Sequence, residues 1–506
     1  MSNWSEGYVD NVVYTYGYYK NIQPEALTIP FLMKGLIPPT VINACELGFG
    51  QGVSFNIHSA AGSANWYGTD FNPSHARFAQ YLASSFESGA LIADQSFQAF
   101  CQRDDLPDFD FIALHGIWSW ISDENRHIIV DFIRRKLKVG GVLSISYNTL
   151  PGWSGKSPIR HLLSTFHQTT ATSSKSHEDN VKETLRLSEQ TLKLSQLLTK
   201  ETPSLLTKIE DLKNTNINYL AHEYLNKDWQ PMYFTEMEQW LEGAKVKFAC
   251  STNFLDDFYP VSFNQEQINF ISQFSHASQI ETMKDFMLNK QFRSDFWVKG
   301  NVSFEPSARR NAWHQLRVLF ITPRKDFSLD ISRHISISLN ASIANPILDI
   351  LEDGQIHQVG NICQQLNQHE VIFEVLAILY AHGHLLLIQD DKKAQTALPR
   401  CQAFNQAIMA LAKDGHKIEY LASPMTGGAI TVPRFEQLFL SAYQEGIPQE
   451  QWGAYVWNTL KERGQQLIHE GRTLETDQEH LNVFNQQAKT FIENKFNLLK
   501  KLKIVI

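Results

Sequence analysis

The stretch Val41 to Gly52, Val-Ile-Asn-Ala-Cys-Glu-Leu-Gly-Phe-Gly-Gln-Gly, constrains the fold more than any other part of the chain. A short apolar run ends in an acid, Glu46, and glycines then stand at alternate positions, Gly48, Gly50 and Gly52. Such a turn bends sharply and lets the backbone approach a ligand, because glycine has no Cβ. A second strand-like run, Trp66 to Thr69, ends in Asp70, eighteen residues past Gly52. Strand, glycine turn, helix and strand with a terminal acid predict a nucleotide-binding βαβ unit. The spacing is Gly-x-Gly-x-Gly and not the Gly-x-Gly-x-x-Gly of dinucleotide sites.

The alternation continues downstream. Strands are predicted at 41–47, 66–70, 90–93, 109–114 and 142–147, with the last preceded by a break at Gly140-Gly141. Helices are predicted at about 51–60 and 123–137, and Pro73 suits the first turn of another. Alternating β and α units give a parallel sheet with helices on both faces. Ligands of such sheets lie beyond the carboxyl ends of the strands. Glu46, Asp70, Asp94, His115 and Asn148 all fall at those ends. A helix at 235–243 and strands at 247–252 and 292–299 would complete the sheet, so that it closes near residue 300.

A chain of 506 residues predicts about three domains. A net charge of −8 argues against a protein that works on the nucleic-acid backbone and suits a cationic substrate. The five cysteines (Cys45, Cys101, Cys250, Cys363, Cys401) are scattered without zinc or redox spacing, which predicts reduced thiols and a cytoplasmic location. The amino terminus lacks the regions of a signal peptide, and no run of ~20 apolar residues spans a membrane.

Two later stretches narrow the class. Leu114-His115-Gly116-Ile117-Trp118-Ser119-Trp120-Ile121 follows the fourth strand, and Ser146-Tyr147-Asn148-Thr149-Leu150-Pro151-Gly152-Trp153 ends the fifth. With Glu46-Leu47-Gly48-x-Gly50-x-Gly52 they resemble the bacterial class I S-adenosylmethionine (SAM) methyltransferases that carry a methyltransferase regulatory domain. That group includes the rickettsial-type protein-lysine methyltransferases, which act on outer-membrane protein. Tyr219 to Asn226 and Phe292-Arg293 resemble the regulatory region; Tyr420 to Pro424 and Phe435 to Leu440 resemble the C-terminal part. Phe49 and Gln51 depart from the usual cysteine and small residue, and Ile117-Trp118 from the commoner valine-tyrosine pair.

The resemblance implies an α/β fold, a Rossmann-like class I methyltransferase sheet with a helical insertion, plus C-terminal winged-helix-like and helical domains. The cofactor is then SAM, leaving as S-adenosylhomocysteine, held by Glu46, Gly48, Phe49, Gly50, Gly52, Asp70, Phe71, Asp94 and His115. Asp70 is expected to accept both ribose hydroxyls. Asp94 faces the adenine amine or caps the next helix. Glu46 fixes the turn or reaches the cationic amine through water. For methyl transfer, Asn148, Tyr147, His115 and Trp118 are the expected catalytic residues: Asn148 orients the acceptor amine, and His115 or Tyr147 relays its proton. Trp118, Trp120, Tyr147 and Trp153 would form aromatic walls that desolvate a lysine ammonium, although Trp120 and Trp153 also read as loop packing.

Six segments follow. Residues 1–40, with tyrosines at 8, 14, 16, 18 and 19 and a helix at about 30–36, form a lid over the crevice or pack outside the sheet. Residues 41–155 are the SAM-binding core. Residues 156–230 form a helical arm with a stripe of Leu185, Leu192, Leu194, Leu197 and Leu198, which the resemblance implies is either folded on the sheet or used for homodimerisation. His222-Glu223 closes the arm, as a structural pair or as a substrate contact. Residues 231–300 complete the methyltransferase region. Residues 301–395 hold a linker and a winged-helix-like domain, with helices at 346–351, 359–366 and 371–382 and a short hairpin around 385–388. Its third helix carries Glu370 and Glu374 and no basic residue, so it reads as a protein-contact module. Residues 396–506 are mainly helical, and the lysines from Lys495 to Lys503 read as a solvated helix face.

Three functions follow: a protein N-methyltransferase acting on accessible lysines, a methyltransferase for a small molecule or surface-glycan precursor, and a SAM-binding scaffold without turnover. The large accessory half favours a macromolecular substrate. No nucleic-acid partner and no metal are expected.

Overall fold

Seven strands form the central sheet: β1 (Asn43–Leu47), β2 (Asn65–Thr69), β3 (Leu91–Ala93), β4 (Phe109–Leu114), β5 (Leu137–Asn148), β6 (Lys247–Ser251) and β7 (Phe292–Val298). Their order is β3-β2-β1-β4-β5-β7-β6. The first five are parallel, and β7 runs antiparallel to both β5 and β6. This computed structural model describes residues 15–172, 174–215 and 217–505, with only the backbone of 218, 219 and 221. Tyr8 and Tyr14 lie outside the described residues.

Strand periodicity builds the sheet's two cores. Cys45, Leu47, Ile112, Leu114, Leu143, Ile145 and Tyr147 are buried on one face with Trp118, Phe234 and Trp297. The alternate residues Ala44, Phe111, Ala113, Val142, Phe296 and Val298 are buried on the other with Phe31 and Phe55. Side chains that point to opposite faces at every second residue, both faces covered by helices, give these strands their near-continuous apolar runs. The expected break at Gly140-Gly141 is not a strand boundary. The helix Asp123–Lys136 passes directly into β5, and a register shift between Phe109 and Phe111 absorbs the glycines.

The short helix Thr28–Lys34 joins two domains through its two faces. Leu27 and Phe31, one helical turn apart, face the sheet. Ile29 and Leu32 face the domain that begins after β7. In that domain the helices Ala341–Leu351, Val359–Leu366 and Glu370–Ala381 stand where the sequence predicts three. The expected hairpin is instead a three-stranded antiparallel sheet. Leu385–Ile388 pairs with Arg317–Phe320, which pairs in turn with Ile356–Gln358. The middle strand comes from residues read as linker, so no local turn announced it.

The last hundred residues are mainly helical, with two small hairpins. Their core includes Val53, Ile57, Ala60 and Ala61 from the helix Val53–Ala61 that follows β1. The long helix Asp391–Lys413 lies against that helix, and Arg400 Nη2 donates to the carbonyl of Gly62 at 2.7 Å. Gln389 Nε2 donates to the carbonyl of Ala61 at 3.0 Å. These bonds satisfy carbonyls that a helix end leaves without partners.

The inserted arm has its own core of Trp153, Ile159, Leu163, Leu185, Leu192, Leu205 and Tyr224. Here the expected leucine stripe breaks. The helix His177–Leu194 ends at Ser195, whose ψ of 61° is not helical, and the next helix, Gln196–Glu201, starts in a new register. Leu185 and Leu192 are buried, whereas Leu194, Leu197 and Leu198 are exposed. All five cysteines are buried and unbridged. Among the described residues no helix is long and apolar enough to cross a membrane.

Candidate active site

Strand order reverses at β1, which lies between β2 and β4, and crevices form at such switch points. A pocket opens there, beyond the carboxyl ends of β1 to β4. Glu46, Gly48, Phe49 and Gly50 line it from β1; Asp70, Phe71 and His75 from β2; Gln95, Ser96 and Phe97 from β3; His115, Gly116 and Ile117 from β4. Tyr19 of the N-terminal segment, Trp120 to Ser122, Asn125, Asn226 and Asp228 complete its wall.

The glycine turn owes its shape to its three glycines, all at positive φ, and to Asp70. Gly48 and Gly50 have φ of +78° and +57°, the left-handed region that suits glycine. Gly48 also packs closely on Ile117: a Cβ there would lie 2.5 Å from Ile117 Cδ1. Asp70 Oδ2 accepts the amide of Gly50 at 2.8 Å, while Oδ1 accepts the amide of Asn72 at 3.0 Å and lies 3.2 Å from His75 Nδ1. The turn-fixing role open to Glu46 in the sequence therefore belongs to Asp70. Gly52 does not line the pocket. A Cβ on it would sit 2.4 Å from the Cβ of Ala79, so this glycine lets the helix Val53–Ala61 pack closely on the helix Pro73–Ser84.

Glu46 is buried in the pocket, and its Oε2 finds no hydrogen-bond partner among the described residues. Burial first, and then the nearby charge of Asp70, push its carboxyl up to about 8. A buried carboxyl without a partner is costly unless something supplies a positive charge or a donor.

His115 sits on the same sheet face as Glu46. Its Nδ1 lies 3.0 Å from Asn21 Nδ2 and 3.3 Å from Ser146 Oγ, and the Tyr19 ring stacks on it at 3.9 Å. Burial lowers its pKa to about 4. With the Asn21 amide as donor to Nδ1, the neutral ring carries its proton on Nε2. That geometry does not make it the proton relay the sequence suggested.

The other expected catalytic residues do not converge on the pocket. Trp118 is fully buried, with Nε1 3.4 Å from Met232 Sδ and its ring edge-on to Trp240. Tyr147 is buried on the opposite sheet face, where its hydroxyl lies 3.3 Å from Asp295 Oδ2. Burial, and then the nearby carboxylate of Asp295, holds its phenol well above its usual range. The alternation that places Ser144 and Ser146 on the His115 side sends Tyr147 to the other. Asn148 shares the Ser146 side and keeps a buried Nδ2 without a partner among the described residues, but it does not line the pocket. Trp153 packs in the arm against Tyr224 and Trp229. Of the four expected aromatic walls, only Trp120 lines the cavity.

Asp94 is exposed and outside the lining, and the cap of the helix Phe97–Cys101 is Ser96, whose Oγ accepts the amide of Ala99. Neither of the two roles considered for Asp94 is built here; Gln95, Ser96 and Phe97 take the position instead. His222 and Glu223 lie in the arm and do not line the pocket, although the His222 carbonyl accepts from Asn226 Nδ2 at 2.6 Å. Sequence reasoning missed Asn226 and Asp228. Asn226 lies in a quoted motif, but nothing local shows that the end of the arm folds back to β4.

The N-terminal segment divides its tyrosines. Tyr19 lines the pocket, and its amide donates to Ser54 Oγ at 2.8 Å. Tyr16 packs on Phe78 and His416, and Tyr18 on His58 and Tyr420.

Comparison with known proteins agrees with this architecture. Residues 216–299 match the family described as "Predicted methyltransferase regulatory domain". The uncharacterized protein sll1526 of Synechocystis is 34% identical over 99% of both chains. The uncharacterized protein RP028 of Rickettsia prowazekii is 27% identical over 47% of this chain and 94% of its own. In fold, the chain is similar to PKMT2 from Rickettsia typhi in complex with AdoHcy, with a TM-score of 0.67 at 16% identity, covering 95% of this chain and 98% of that one. The chain belongs to the same family as the Synechocystis protein sll1526, and within it residues 216–299 carry the region described as a predicted methyltransferase regulatory domain.

Proposed function

We propose that the protein transfers a methyl group from SAM to lysine side chains of a protein substrate. The observation that carries this reading is the charge and shape of one pocket. Two aspartates, Asp70 and Asp228, and the buried carboxyl of Glu46, which a cation would ionise, share a cavity with the aromatic side chains of Tyr19, Phe49, Phe71, Phe97 and Trp120. Both reactants of such a transfer are cationic before the reaction, so acidic walls gather them.

The pocket residues fit the cofactor. The partnerless Glu46 oxygen suits a ligand bearing an ammonium and a sulfonium, and the Gly48–Gly50 turn brings backbone within reach of it. Asp70, Phe71 and the Gln95–Phe97 segment would hold the nucleoside, and the Nε2 proton of His115 offers a donor to it. Bound SAM supplies an electrophilic methyl whose leaving group is a neutral thioether. The chain's own part is to align, desolvate and take up charge. Trp120 and Tyr19 exclude water and favour the neutral amine over the ammonium. Asp228, carried by the regulatory region on the opposite wall, would attract the lysine before it loses its proton. Precise alignment of the amine then supplies much of the acceleration.

The test is incubation with methyl-labelled SAM and bacterial surface-protein extract. Label in polypeptide bands, found at lysine after hydrolysis, supports the proposal. Label confined to protease-resistant, low-mass material points to a small-molecule or glycan acceptor instead. SAM binding without a labelled acceptor points to a scaffold. Asp228→Asn should leave cofactor affinity unchanged and raise KM for a lysine peptide.

A further inference from the structure

Far from the methyltransferase pocket in sequence, the domain after β7 brings two histidines and a cysteine together. His314 lies in the last turn of the helix Pro306–Gln315, Cys363 in the middle of the helix Val359–Leu366, and His369 caps the helix Glu370–Ala381. One potential ligand atom from each lies within 4.8 Å of the other two. His314 Nε2 and His369 Nδ1 are 3.1 Å apart.

The surroundings build this cluster. Gly360 lets the helix Val359–Leu366 close on His314, since a Cβ there would lie 3.2 Å from His314 Cβ. Trp313 and Phe373 stack at 4.8 Å and 7°, and both histidine rings pack on Phe373. Rings seated on an aromatic floor keep their orientation. Cys363 is fully buried, while both histidines are half-buried and give a path from solvent. The negative charge of Glu370 is felt at Cys363 and opposes that of Arg310, which is felt at His314.

We infer that His314, Cys363 and His369 form a binding site for a zinc-class divalent transition metal ion, with a fourth coordination position left to solvent. Imidazole nitrogen and thiolate sulfur are the donors such ions prefer, and three protein ligands plus water complete a tetrahedron. Two imidazole nitrogens at hydrogen-bond distance share one proton between them. An ion takes the lone pairs of both, so that proton moves to the remote nitrogen of the histidine that carries it. The Cys363 thiol must also ionise, and burial pushes its pKa up to about 11. Each ion bound at neutral pH therefore releases one proton, which leaves to solvent as the S–H bond is replaced by a sulfur–metal bond.

The experiment is a titration of the full-length, chelator-stripped protein with Co2+. One equivalent should produce the visible bands of tetrahedral cobalt and a thiolate-to-cobalt charge-transfer band in the near ultraviolet. About one proton per ion should appear in weakly buffered solution, and Zn2+ should abolish the spectrum. Cys363→Ser should remove the charge-transfer band. His369→Asn, at a half-buried position that should still fold, should weaken Co2+ binding at least tenfold with an unchanged circular dichroism spectrum. If Cys363→Ser does not fold, His369→Asn decides. Absence of the charge-transfer band in the parent protein, or wild-type Co2+ affinity in His369→Asn, would overturn the assignment.

Discussion

Asp70 Oδ2 accepts the backbone amide of Gly50 at 2.8 Å, so the carboxylate that ends the second strand braces the glycine turn that ends the first. Two strand ends are thus fixed to one another before any ligand arrives. Asp70→Asn puts an amide where a charged acceptor served three donors. Hydrogen bonds to a charged group contribute about 1.5–3 kcal/mol each. We expect SAM affinity to fall by about tenfold or more in calorimetry. Wild-type affinity in this variant would refute the bracing role.

The carboxyl of Glu46 gives the protein a pH signature. Its pKa in the fold, about 8, lies above its unfolded value. Its contribution to stability is therefore complete below the ordinary carboxylate range and is lost as pH rises through about 8. A cationic ligand reverses the preference by favouring the ionised form. SAM should bind more tightly as pH rises toward 8, with uptake of a proton by the buffer, measurable by calorimetry in buffers of different ionisation enthalpy. Glu46→Gln should flatten that dependence and raise the melting temperature of the ligand-free protein above pH 8.

The glycines of the turn should separate by assay. Gly52→Ala forces a Cβ at φ +69° against Ala79, so it should destabilise the fold, by about 1–3 kcal/mol from the backbone alone. Gly48→Ala carries the same backbone strain at φ +78°, but its Cβ meets only the movable end of Ile117, within the pocket wall. It should destabilise the fold less than Gly52→Ala and depress SAM affinity as well. Denaturant unfolding and ligand titration of the two variants check the contrast.

The two tryptophans of the segment after β4 should also part company. Trp118→Ala empties a fully buried site and should cost about 3–5 kcal/mol in denaturant unfolding. Trp120→Ala removes a pocket wall, so it should keep the fold and lower kcat/KM. Equal losses of stability in both would contradict the division between core and cavity.

Strand ends were the most legible part of the site. An apolar run stopped by an acid or histidine marks where a parallel strand leaves the core, and Glu46, Asp70 and His115 were found that way. Choosing among side chains at those ends needs the alternation as well. Tyr147 and Asn148 are neighbours in sequence and so face opposite sides of β5, a constraint present in the chain but outweighed by their chemistry. Trp118 and Trp120 lie in a 3-10 turn, where no simple period tells which ring is inside. Asp228 had no local signal at all, because it reaches the pocket only after the arm has folded back. The strand Arg317–Phe320 was missed for a similar reason, since both of its partners come later in the chain.

The hold of Gln389 and Arg400 on the carbonyls of Ala61 and Gly62 bears on how the protein can be dissected. The helix they grip begins at the glycine turn and is about 14 Å long. Its outer face, Val53, Ile57, Ala60 and Ala61, is covered by the C-terminal domain. A stop codon near residue 300 would keep every strand of the sheet and still strip that helix of its cover and its end partners. The smallest unit that keeps the glycine turn in place is not the sheet but nearly the whole polypeptide.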